Sequence, residues 1–176
     1  MRLSLALLST ALVMPWTLSA QNIRRSQEAA VRQKIADTWI EIRYHRPVAR
    51  GRNPLFGPVV PWGQVWTPGA DSATTISLST PVQIQNDTLP RGTYSIWTIP
   101  DSSGHWTVIF NRTSRVWHTR YPGEATDQLR VRVPAWQGPH MESLMWYFPN
   151  VDGTEATLVM HWGNTGVPLA IRVPQP

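Results

Sequence analysis

The sequence contains no cysteine. Disulfides, thiolate metal sites, a cysteine nucleophile and acylation of an N-terminal cysteine are therefore excluded. Lysine is nearly absent too: Lys34 stands alone among 16 basic side chains, and the rest are arginine. The formal net charge is +5, yet the arginines are scattered, with no run longer than Arg24-Arg25. A basic helix or a recognisable nucleic-acid module is missing, so nucleic acid is not an expected partner. The arginine excess reads as codon usage. Glycine-rich phosphate loops and a Gly-x-Ser-x-Gly elbow are absent, which removes the common nucleotide-binding and serine-hydrolase readings. Five histidines are spread singly, without His-x-His or His-Glu-x-x-His spacing. No metal or cofactor is expected.

What is present begins with a leader. Arg2 precedes an apolar run from Leu3 to Val13, followed by Pro15 and by Leu18-Ser19-Ala20. A basic start, a short apolar stretch and small residues form the pattern of a cleaved secretory signal, too short to span a membrane. Residues 1–20 are assigned to it. Residues 21–176 form one domain, long enough to bury a core without covalent staples. The mature protein is expected to be periplasmic or secreted, with no transmembrane segment.

Beyond the leader the punctuation is regular. In "TWIEIRYH", Ile40, Ile42 and Tyr44 alternate with Glu41, Arg43 and His45, the period of a half-buried strand. Further strands are expected at 74–79, 81–86, 93–99, 105–111, 128–134, 141–148, 155–162 and 167–173. Turn signals separate them at Asn86-Asp87, Pro100 to Gly104, Pro122-Gly123, Gly138-Pro139 and Asp152-Gly153. Residues 26–36, "SQEAAVRQKIA", fit either a helix or an edge strand turning at Ala36-Asp37. About nine short strands with little helix predict an all-β fold, an antiparallel β-sandwich of Greek-key or jelly-roll type. "LPRGTY" adds the Leu-x-x-Gly-x-Tyr spacing of a tyrosine corner, carried by Leu89, Gly92 and Tyr94.

Aromatics are abundant, with 10 tryptophans. Strand phase sends Trp146 and Trp162 to the core, places Trp39 on the polar side, and leaves Trp97 on a strand apolar on both faces. Exposed tryptophans on a β scaffold would offer stacking platforms for sugar rings; buried ones contribute packing. Two sit in "GPVVPWGQVWTPGAD", residues 57–71, with three prolines and three glycines. Proline removes backbone donors and excludes a helix or an interior strand there. An apolar loop of this kind can plug a core or wall a site. Val59, Val65 and Trp66 are expected to close the core while Arg52 and Asp71 face a pocket, or clasp each other.

The stretches "YHRPVARGRNPLFGPVVPWGQVWTPGADSATT", "LPRGTYSIWTIP" and "WTVIFN" resemble a family of exported bacterial proteins catalogued as domain of unknown function 2911. The matching positions include Arg46-Pro47, Gly51-Arg52, Phe56-Gly57, Pro61 to Trp66, Gly69-Ala70, Ala73-Thr74, Pro90 to Tyr94, Trp106, Asn111 and Trp162. The resemblance spans roughly residues 26–173. It implies an exported, largely β protein and brings no activity with it. After Val-Trp the family pattern runs Arg-Thr-Gly-Ala-Asn-Glu-Ala-Thr. This chain has Thr67 for the arginine, Asp71 for the asparagine and Ser72 for the glutamate.

The resulting expectation is a ligand-binding protein without assigned catalytic residues. The ligand would be a saccharide, an envelope component or a small anion. Arg46, Arg52, Trp62, Trp66, Asp71 and His118 are the candidate binding residues, and the 46–71 segment forms one wall. A second polar cluster, Asn111, His118, Tyr121 and Asp127, flanks the excursion after residue 111. Two alternatives stand beside this reading. One is a hydrolase-like enzyme using Asp71 with His118 or Tyr121. The other is a structural or protein-interaction module, which predicts an exposed apolar patch and no concave polar pocket.

Overall fold

The computed structural model describes residues 24–175; the leader assigned to residues 1–20 lies outside them. The first hairpin resolves the open choice at 26–36. Gln27–Ile35 (β1) pairs antiparallel with Thr38–Arg46 (β2), in register from Gln27 opposite Arg46 to Ile35 opposite Thr38. Good helix formers are overridden because Ala29, Val31 and Ile35 share one side of a strand and pack on the core. Ala36, in the left-handed region at φ 50°, makes the turn.

Eight more strands follow: Thr75–Leu78 (β3), Val82–Ile84 (β4), Asp87–Leu89 (β5), Gly92–Ile99 (β6), His105–Asn111 (β7), Asp127–Pro134 (β8), Trp136–Asp152 (β9) and Glu155–Arg172 (β10). A single 3-10 turn occupies Glu124–Thr126. The strands form two antiparallel sheets, ordered β1-β2-β3-β6-β7-β8 and β5-β4-β10-β9. The architecture is the expected all-β sandwich, with ten strands rather than nine. The expected strand at 81–86 is β4, which stops at Ile84 where Gln85 turns into the left-handed region, and β5 at Asp87–Leu89 is an additional strand that was not expected. The expected strands at 155–162 and 167–173 are one. β10 runs through its polar centre because shifts in register against β9 absorb the mismatch there.

Ile40, Ile42, Tyr44, Ile76, Ile96, Val108 and Phe110 meet Ile84, Leu144, Trp146, Leu158, Met160 and Leu169 between the sheets. Two devices join the layers. The Tyr94 hydroxyl donates to the Pro90 carbonyl at 3.0 Å, so the tyrosine corner is formed over the buried Leu89. The chain leaving β2 crosses to the other sheet: Ala49 N–H donates to Glu142 O at 2.7 Å and Leu144 N–H to Pro47 O at 2.9 Å.

The proline-rich loop completes the larger sheet. β3 is short and pairs only with the first half of β6. Along the rest of that side, Trp66 exchanges both backbone hydrogen bonds with Thr98, and Ile96 N–H donates to Thr74 O. Thr67 lies fully buried beneath this pairing. Its hydroxyl donates to Ile96 O at 2.9 Å and accepts from Thr74 N–H at 3.2 Å. Pro68 O then accepts from both the Thr74 hydroxyl and the Trp146 indole.

Candidate functional site

The loop's aromatic rings separate into core and surface. Trp66 stacks on Trp162 with centroids 6.0 Å apart, and Phe56 meets Trp66, Trp106 and Trp162 edge-on. Edge-on pairs of this kind add about 0.5–1.5 kcal/mol each beyond their burial. Trp66 therefore belongs mainly to the core, as expected, while Trp62 stays 43% exposed. Val59 and Val65 do not close the core: both are 36% exposed, and Val60 and Leu55 are buried instead. Prolines on either side break any alternation, so the inward phase had no readable period.

The loop ends on a second pairing. Residues 71–73 run antiparallel to 116–118, with Ala73 N–H donating to Val116 O and His118 N–H to Asp71 O. Asp71 sits at φ 58°, a left-handed conformation that aspartate tolerates better than most residues. His118 Nδ1 lies 2.7 Å from the same Asp71 carbonyl. A carbonyl only accepts, so Nδ1 carries the hydrogen and Nε2 is left as the acceptor of the neutral ring. Asp71 and His118 are thus brought together through backbone rather than through the carboxylate. The pairing lays the 112–126 excursion over the outer face of the larger sheet, where Ala73, Trp97 and Ile109 pack against Val116 and Tyr121. This cover is why Trp97 is buried on a strand with two apolar faces.

Beside this flap opens a cleft of about 520 Å³. Arg24 and Glu28 line it from the start of β1, Arg43 and His45 from β2, Ser72 from the loop, and Arg115 and Trp117 from the flap. Trp117 is 47% exposed. Arg43 bonds Glu41 and lies 3.8 Å from Glu28; among the described residues Arg115 has no acidic partner. Asp71 Oδ2 is buried without a hydrogen bond, 3.8 Å from Arg24. A second groove, of about 470 Å³, is lined by Arg25, Ser26, Arg50 and Arg52. Glu142 stands next to it, accepting from Arg50 N–H and from His140. The mutual hydrogen bond raises the His140 pKa and lowers that of Glu142.

The expected Arg52–Asp71 clasp does not form. Arg52 donates Nε to Ala49 O at 2.8 Å and Nη2 to Val48 O at 2.6 Å, tying its own turn together. Arg46 likewise spends Nε on Leu144 O. The 46–71 segment lines the Arg25–Arg52 groove but not the arginine cleft, which takes residues on either side of it. Arg24, Arg43, His45, Arg115 and Trp117 were not singled out from sequence, since they converge from separate segments. The outward phase of Arg43 and His45 was the one available signal.

The second polar cluster is a closed network. Asn111, fully buried, donates to Gly123 O, Thr126 Oγ1 and Asp127 Oδ1. Asp127 Oδ2 accepts from the Tyr121 hydroxyl at 2.6 Å and from Arg130 Nε at 2.7 Å. His118 is not part of it. With its polar groups bonded to one another, the cluster anchors the flap rather than offering groups to a ligand.

An antiparallel sandwich with a flap-covered outer face and an arginine-lined cleft is the class of protein that fold and site define. The chain belongs to the family described as protein of unknown function (DUF2911), whose pattern matches residues 26–171. No curated protein and no solved structure matches it. Among the described residues no helix is long and apolar enough to cross a membrane.

Burial, reinforced by the bond to Asp127 and opposed by Arg130, pushes the Tyr121 hydroxyl up to about 12. A pKa raised on folding favours the folded state at low pH. The contribution is complete below pH ~10, the ordinary tyrosine value. It is lost as pH rises through about 12. Burial raises the Tyr94 hydroxyl as well, so spectrophotometric titration should show late-ionising tyrosine absorbance whose amplitude falls by one tyrosine in Tyr121→Phe. An undiminished late amplitude in Tyr121→Phe contradicts the network.

Proposed function

We propose that the protein is an exported binding protein for an anionic ligand, an acidic saccharide or a phosphate-bearing envelope component, held in the cleft beside the flap. The observation that carries this reading is the convergence of Arg24, Arg43 and Arg115 beside the exposed Trp117. Guanidinium forks match carboxylate and phosphate oxygens in pairs, and an indole face accepts the apolar side of a sugar ring. The departure from the family pattern points the same way. Ser72 stands in the lining where the family has glutamate, so this cleft carries one acid fewer. A concave polar cleft also supports binding over a purely structural role.

Calorimetric titration with oligogalacturonate and with glycerol phosphate should detect binding to one of them and separate the two sources of anionic charge. Affinity should fall with added salt. Arg115→Ala should weaken it at least ~10-fold, about 1.4 kcal/mol, without shifting the melting temperature of the free protein. Absence of binding to either probe, or unchanged affinity in Arg115→Ala, would sink the proposal. Ligand recovered as cleavage products would favour the hydrolase-like reading instead.

The proposed location is the periplasm or the exterior, supported by the Arg2 and Leu3–Val13 leader pattern. Cell fractionation followed by N-terminal sequencing should find the protein outside the cytoplasm and beginning at Gln21. An intact Met1 on a cytoplasmic protein would refute it.

A further inference from the structure

Two buried side-chain polar atoms among the described residues lack a hydrogen-bond partner, Asp71 Oδ2 and Trp162 Nε1. Buried polar groups are usually paired. Asp71 borders the arginine cleft. Trp162 lines a different one, of about 140 Å³, at the other end of the proline-rich loop.

One wall of this smaller cleft is aromatic. Trp62 is 43% exposed, unlike Trp162 at 3%. Its ring is nonetheless held in place. It lies over Gly57, where an added Cβ would stand 2.8 Å from the indole nitrogen, and it meets Phe56 at 6.2 Å between centroids. Gly57, at φ 100°, supplies both the turn and the room. An exposed indole fixed against a glycine presents its π face without the ordering cost of a mobile side chain. The opposite lining carries amides: Asn53, Gln137 and Asn164. Asn164 donates Nδ2 to Gly138 O and Gln137 donates Nε2 to Thr165 Oγ1. Each keeps its carbonyl oxygen as an acceptor, and the Asn164 side chain also interacts with His140. Among the described residues no charged side chain lines the cleft, and the Arg52 guanidinium stands 5.9 Å from the Trp162 ring.

From this arrangement we infer that the Trp62–Trp162 cleft is a second binding site, for an uncharged sugar ring. A pyranose has a face of C–H groups to lay on the Trp62 indole, whose π face is electron-rich. Its equatorial hydroxyls donate to the Gln137 and Asn164 carbonyl oxygens, and a hydroxyl oxygen is the acceptor that the Trp162 N–H lacks. An anion finds no counter-charge there, and an aliphatic ligand would leave the amides unpaired. The site does not rest on the arginine cleft and shares no lining residue with it.

The probes are the methyl glycosides of glucose, galactose, mannose and N-acetylglucosamine, each tested on the full exported chain by saturation-transfer NMR. Transfer to the ring C–H protons of at least one is expected. Trp62→Ala should abolish it while leaving the melting temperature unchanged. Trp62→Phe should keep a weakened signal, and Arg115→Ala should leave it untouched. Absence of transfer from all four probes, or transfer that survives Trp62→Ala, overturns the inference. Loss of the signal in Arg115→Ala overturns it as well, because the sugar would then sit in the arginine cleft.

Discussion

The hydroxyl of Thr67 holds together the part of the molecule on which both clefts depend. β3 begins too late, at Thr75 opposite Ser95, to pair with the second half of β6, and the sheet would stand open there. Residues 66 and 74 fill the lane, and the buried Thr67 side chain bonds across it to Ile96 O and Thr74 N–H. In the interior such bonds are worth more than in water, and their loss leaves backbone groups unpaired. Position 67 is therefore structural in this chain.

Consequences run outward in both directions. Toward residue 71 the chain emerges in a left-handed turn, pairs with 116–118 and draws the flap across the outer face of the sheet. That contact brings Arg115 and Trp117 opposite Arg24 and Arg43. Toward residue 57 the same anchoring sets Trp66 on Trp162 and leaves Trp62 at the rim of the smaller cleft. The loop is architecture through its middle and borders a cleft at each of its two ends.

How far this was legible follows from the range of the contacts. Alternation in 38–45 placed β2, and the spacing of Leu89, Gly92 and Tyr94 placed the tyrosine corner, because both signals are local. Trp146 and Trp162 went to the core by strand phase alone. The choice at 26–36 stayed open because its residues suit a helix and only packing against the core makes them an edge strand. Proline hid the inward phase of Val60 behind that of Val59. Arg52 looked like a partner for Asp71, yet carbonyls three and four residues back were nearer. The large cleft is assembled by long-range pairing between 71–73 and 116–118, for which no sequence spacing exists. Asp71 and His118 were both singled out, but not the backbone bond that joins them.

The proline-rich loop is an integral, strand-like part of the sheet, locked by Thr67. Equilibrium unfolding of Thr67→Val tests it most directly, since valine keeps the shape and removes only the hydroxyl. The expected result is a loss of about 1–3 kcal/mol, the cost of leaving buried backbone groups unpaired, with an unchanged denaturant slope. Wild-type stability in Thr67→Val would contradict it and return the loop to the surface.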